Sequence, residues 1–129
     1  MTGFRSPQIT LYSADVARAM AFYRGLGFTE TFRYAPAGVP RHVELALDGF
    51  TLGIADAEAA RADHGLRPRP DGQAVELVLW CDDTDRAYAE LLAAGAPSLS
   101  APHDWLDDLR IAWVADPDDN PVQLVAHRG

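Results

Sequence analysis

Five polar side chains stand inside apolar segments of this sequence, where they could do chemistry: Gln8, His42, Glu44, Glu76 and Gln123. A carboxylate in a partly desolvated site is a general base or a counter-charge for a bound cation. An imidazole moves protons or ligates a metal, and a primary amide orients a ligand by donating and accepting hydrogen bonds. Aromatic residues accompany them: Tyr12, Phe32, Tyr34 and Trp80 lie in or beside the same apolar segments. Trp105 lies in "APHDWLDDLRIAW", read as a polar stretch between strands, where a large ring has no core to fill unless a ligand or partner covers it. Flat rings and carboxylates together suit a flat, positively charged molecule.

The elements that position these residues come in two copies. "LYSADVARAMAFYRGLG" lies over "LWCDDTDRAYAELLAAG" without a gap at an offset of 68 residues, as from Asp15 to Asp83. Leu11 falls on Leu79, Tyr12 on Trp80, Arg18 on Arg86 and Gly27 on Gly95. In each copy a strand runs into an Asp suited to cap a helix, and a Gly stops that helix. Strand-like segments follow: "FTETFRYA", "RHVELAL" and "FTLGIA" in the first copy, with Asp48–Gly49 as a hairpin turn, and a weaker "PSLSAP", then "RIAWVA" and "PVQLVA" in the second. The expectation is one α+β domain over residues 1–129, with a first βαβββ unit at 6–56, a short helix and linker at 57–73, and a second βαβββ unit at 74–127. The two units would form a curved mixed sheet around a cleft.

Strand alternation assigns faces. If Ile9 and Leu11 pack on the first helix, Gln8, Thr10 and Tyr12 face the cleft. By the repeat, Leu77 and Leu79 pack inward while Glu76, Val78 and Trp80 face the cleft. Val43, Leu45 and Leu47 turn to the helix, leaving His42, Glu44 and Ala46 in the cleft beside Gly53. Phe32 and Tyr34 make a second wall. Plain alternatives stand beside these readings: Glu44 and Glu76 solvated or paired with Arg41 or Arg110, His42 a surface histidine, and His64, His103 and His127 without spacing for ligation. Cys81, Trp113, Phe22 and Tyr23 read as packing residues.

The repeat and the terminal "DPDDNPVQL" resemble the vicinal oxygen chelate superfamily, which includes glyoxalase I, extradiol dioxygenases and bleomycin-resistance proteins. That last stretch is similar to the family's Asp-Pro-Asp-Gly-Asn followed by an apolar residue, Glu and Leu. The resemblance covers about Gln8 to Val125. It implies metal-ligand positions at the heads of the first strands of both units and on the strands closing them, which here carry Gln8, Gly53, Glu76 and Gln123. Transition metals need imidazole or carboxylate donors, so the expectation is no metal and no cofactor. Glu44 moving in would suit only a hard ion such as Mg or Ca. Bleomycin-type members similarly place a drug-stacking Trp before the final hairpin, with an Arg near the position of Arg110.

Three functional readings follow. The first is a metal-independent binding protein that sequesters an aromatic, cationic ligand, as in antibiotic resistance. The second is an isomerase or lyase using Glu76 or Glu44 as general base, or a degenerate metalloenzyme. The third is a regulatory module with a vestigial cleft. The ligand-contacting set would be Gln8, Tyr12, Phe32, Tyr34, His42, Glu44, Glu76, Trp80, Trp105, Arg110 and Gln123.

Composition bounds these readings. The 129 residues suit one core, and a formal charge of -8 opposes binding to phosphate backbones. All eleven basic residues are arginine. No stretch is apolar enough to cross a bilayer, and the lone Cys81 fits a reducing compartment, so a cytoplasmic location is expected. Open sheet edges favour a homodimer.

Overall fold

The computed structural model describes residues 3, 5–69 and 75–129. The end of the expected linker and the start of the second unit, residues 70–74, lie outside the described residues. The chain divides into two compact units, Met1–Pro70 and Asp71–Gly129. Each is built as βαβββ.

In the first unit, β1 (Ile9–Ser13), α1 (Val16–Gly25), β2 (Thr29–Tyr34), β3 (His42–Leu47) and β4 (Phe50–Asp56) are followed by α2 (Ala57–His64). The sheet runs in the order β1-β4-β3-β2. β1 and β4 pair in parallel and the other pairs are antiparallel. The Asp15 carboxylate accepts from the Arg18 N–H at 3.1 Å, capping α1. Gly27, at φ 109°, carries the chain away from the helix end, a conformation that a Cβ opposes. Asp48 and Gly49 both take positive φ and join β3 to β4 with Leu47 opposite Phe50, the hairpin geometry that an Asp-Gly pair favours.

The first unit's core lies between this sheet and α1. Val43, Leu45, Leu52 and Ile54 are buried beneath Val16, Met20 and Tyr23. Tyr23 is fully buried and meets Phe22 and Phe28 edge to face, at centroid distances of 5.0 and 5.7 Å. Its role is packing. Ile9, expected to pack with Leu11, is instead 46% exposed, because it opens the strand ahead of the helix-covered segment.

The second unit repeats the plan with β5 (Leu77–Trp80), α3 (Thr84–Ala93), β6 (Ser98–Trp105), β7 (Leu109–Ala115) and β8 (Pro121–His127), in the sheet order β5-β8-β7-β6. Asp83 caps α3 through the Arg86 N–H at 3.1 Å, and Gly95, at φ 103°, ends it, matching Asp15 and Gly27. Among the described residues the strands form two four-stranded mixed sheets, one from each βαβββ unit, in keeping with the expected tandem plan. Thr84 is buried at the start of α3 and donates to the Arg110 carbonyl at 2.6 Å. Leu77, Leu79 and Cys81 are only half-buried.

The expected polar stretch before the last hairpin is largely strand. β6 continues through Pro102 to Trp105, with register shifts between Ser98 and Ser100 and between Ser100 and His103. Such irregularities let a strand pass a residue that cannot donate to the ladder. Among the described residues no helix is long and apolar enough to cross a membrane.

Candidate functional site

Pairing register sets two rows across the first unit's sheet. Thr10, Gly53, Glu44 and Phe32 form one, and Tyr12, Ala55, His42 and Tyr34 the next. Cross-strand partners share a face, so the polar and aromatic residues expected together do meet. The Glu44 carboxylate accepts from the Gln8 amide at 3.2 Å, and the same oxygen lies 3.4 Å from His42 Nε2. The Phe32 ring meets the His42 ring edge-on at 6.0 Å. Thr10, Tyr12, Phe32, Tyr34 and His42 line a cavity of about 380 Å³ whose far side is formed by α2.

Gly53 is required by a close approach. A Cβ built there would stand 2.6 Å from Thr10 Oγ1 and 3.3 Å from Thr10 Cβ. The Thr10 side chain therefore fills the space that a longer side chain at position 53 would need.

In the second unit, Val78, Gln123, Trp113 and Ser100 form one row, and Trp80, Val125, Ile111 and His103 the next. The Trp113 indole donates to the Glu76 carboxylate. His103 stacks on Trp113 at a centroid distance of 6.2 Å, and His127 lies tilted against Trp80 at 5.0 Å. Trp80 is 60% exposed and Trp105 54% exposed, the latter as the last residue of β6 opposite Leu109. Gln123 stands half-buried between Val78 and Trp113.

Trp113, His103 and His127 thus join the second unit's face although their sequence context suggested packing, a loop and a tail. Counting back from the five-residue turn after Ala115 would have put Trp113 opposite Gln123. No comparable signal marked His103, because the shifts in β6 break the alternation.

Arg110, expected among the ligand-contacting residues, lies on the other face of β7. Register puts it opposite Asp104 and Ala126, one residue out of phase with Trp105 and Leu109. Its guanidinium bonds Asp85, at the start of α3, and Asp104, each at 3.0 Å. These bonds, that to Asp85 foremost, raise its pKa above the usual arginine value. It faces α3, away from Trp105.

The sequence matches the profile of the Glyoxalase/Bleomycin resistance protein/Dioxygenase superfamily over residues 5–124. The chain belongs to this superfamily. Solved structures with the same fold include a glyoxalase-related enzyme from Fulvimarina pelagi, at 20% identity and a TM-score of 0.78 over 96% of this chain and 89% of that one. A lactoylglutathione lyase from Agrobacterium tumefaciens has 20% identity and a TM-score of 0.68 over 97% and 96%. TnmS3, an antibiotic binding protein from Streptomyces sp. CB03234, has 21% identity and a TM-score of 0.68 over 98% and 99%. At these identities the likeness is one of fold. Among curated proteins, none matches the sequence.

Enzymes and binding proteins share this superfamily, so its donor positions need testing on this chain. Gly53 offers no donor, and Thr10 crowds its space. The Gln8 amide is bonded to Glu44, and Glu76 accepts from Trp113. Among the described residues no three His, Cys, Asp or Glu side chains gather as a metal-holding group. One carboxylate and two neutral amides do not fit a transition metal.

Proposed function

We propose that this superfamily member is a metal-independent binding protein that sequesters a flat, aromatic, cationic small molecule of antibiotic-like chemistry. The cavity of the first unit carries this reading: about 380 Å³ walled by Tyr12, Phe32 and Tyr34, within the range of small-molecule sites. Stacking on these rings and attraction to nearby carboxylates would act together. Gln8, His42 and Glu44 would orient the ligand. In the second unit Glu76, Trp80, Trp105 and Gln123 would offer rings, a carboxylate and an amide of the same kind. TnmS3, which shares the fold, is described as an antibiotic binding protein.

A second reading is favoured by one contact. His42 lines the aromatic cavity and lies against Glu44 behind it, a pair that would serve as an acid–base unit, and the lyase from Agrobacterium tumefaciens shares the fold. Glu44 or Glu76 would then serve as general base for an isomerase or lyase.

The exposed rings of both sheets would be covered by a second copy of the chain, giving a homodimer. A cytoplasmic setting suits the single Cys81. Calorimetric titration of the full chain with 9-aminoacridine tests the binding reading. Saturable binding with no change in the probe supports it, and absence of binding to this and related planar cations overturns it.

A further inference from the structure

The far wall of the first unit's cavity comes from α2, a segment that reads in the sequence as a helix running into a linker. Ala59 and Ala60 line the cavity with small side chains, so the space beside Tyr12, Phe32 and Tyr34 stays open. Gly65 ends α2 in the left-handed region at φ 68°, with its N–H directed to the Ala60 and Arg61 carbonyls. This turn lets Leu66 line the same cavity, half-exposed and opposite the aromatic wall.

Among the described residues, two carboxylates line the cavity, and they differ in what holds them. Asp56 caps α2, accepting from the Ala59 N–H at 2.7 Å. Asp63, in the last turn, faces Arg41 at 3.8 Å, an ion pair too long for a hydrogen bond, with both side chains half-exposed. Asp63 is therefore the acid whose present partner is most easily displaced, since an exposed pair without a hydrogen bond contributes little.

We infer that Asp63 is the counter-ion of the ligand site and that α2 with Leu66 is its size-limiting wall. The ligand is an amine-bearing planar cation of up to about three fused rings, set by a cavity near the low end of small-molecule sites. Its charged end displaces Arg41 and donates a hydrogen bond to the Asp63 carboxylate, while its rings lie between Leu66 and the aromatic wall. This rests on the binding reading above and adds to it the residue that selects for charge and the segment that selects for size.

The test is calorimetric titration of the full chain with 9-aminoacridine, a three-ring cation, and with acridone, a neutral molecule of similar shape. Asp63→Asn is expected to weaken 9-aminoacridine by about five- to tenfold and to change acridone by less than about twofold. Arg41→Gln, which removes the competing cation, is expected to strengthen 9-aminoacridine severalfold, an effect that mere loss of structure cannot produce. Leu66→Trp, which fills the slot, should weaken both probes. Thermal unfolding of each variant confirms that it is folded. If the parent binds 9-aminoacridine and the Asp63→Asn and Arg41→Gln variants bind it equally well, the assignment of Asp63 is overturned and the binding reading survives. If the parent binds neither probe, both fall.

Discussion

The Trp113 indole donates a hydrogen bond to the Glu76 carboxylate across β8, the strand that carries Gln123 between them. A ring expected to pack and a carboxylate expected to meet a ligand are partners. Trp113→Phe keeps an aromatic ring, though a smaller one, and removes the donor. The loss should be about 0.5–1 kcal/mol, modest because the bond is solvent-exposed. Urea denaturation measures it, and a change above about 3 kcal/mol would mean that the ring's packing dominates.

Trp105 and Glu76 are the second unit's test of ligand contact. Trp105→Ala should cost on the order of 1–3 kcal/mol of binding to a flat cation, by analogy with base stacking on aromatic side chains. Glu76→Gln should weaken cations more than neutral molecules of the same shape. Gln123→Ala should weaken binding modestly and leave the fold intact. Titrations in which the Glu76 and Trp105 variants bind as the parent does would confine the site to the first unit.

Gly53 and Thr10 should be coupled. Gly53→Ala places a Cβ against the stiff Thr10 side chain and should cost about 1–3 kcal/mol, as overpacking does. Adding Thr10→Ala should recover part of that loss, because the crowding atom is gone. A double-mutant cycle in thermal unfolding reads the coupling, and strict additivity would show that the strain lies elsewhere.

Elemental analysis of the purified protein should find no stoichiometric Zn, Fe, Ni or Mn. Gln8, Gly53, Glu76 and Gln123 supply one carboxylate among them. About one such metal per chain, lost with an activity on chelation, would favour the enzyme reading.

Light scattering at micromolar concentration should give twice the 14.0 kDa mass of the chain. Exposed Phe32, Tyr34, Trp80 and Trp105 are the kind of surface a second copy would cover. A mass of one chain would remove the dimer and leave these rings to the ligand alone.

The sequence by itself determined the two-unit plan, because the signals that make it are local. Asp15 and Asp83 cap helices with the N–H three residues on, Gly27 and Gly95 end them, and Asp48–Gly49 turns a hairpin. In the terminal "DPDDN" turn, Asp116 accepts from the backbone N–H groups of Asp118 and Asn120 at 2.9 and 2.7 Å, within five residues. Regular alternation then placed Thr10, Tyr12, His42 and Glu44 on one face, as the register of β1, β4 and β3 shows. What only the tertiary structure decided was long-range. A slip of one residue in pairing reverses a face, so the irregular β6 hid the place of His103. The partner of Arg110 was hidden for another reason, because Asp85 comes from α3, 25 residues away in the chain. The role of α2 as a cavity wall was hidden too, since its apolar residues are alanines and nothing local says that Ala59 and Ala60 must lie across from Tyr12 and Phe32. Contacts among residues far apart in the chain depend on how whole elements pack, and no short stretch of sequence encodes them.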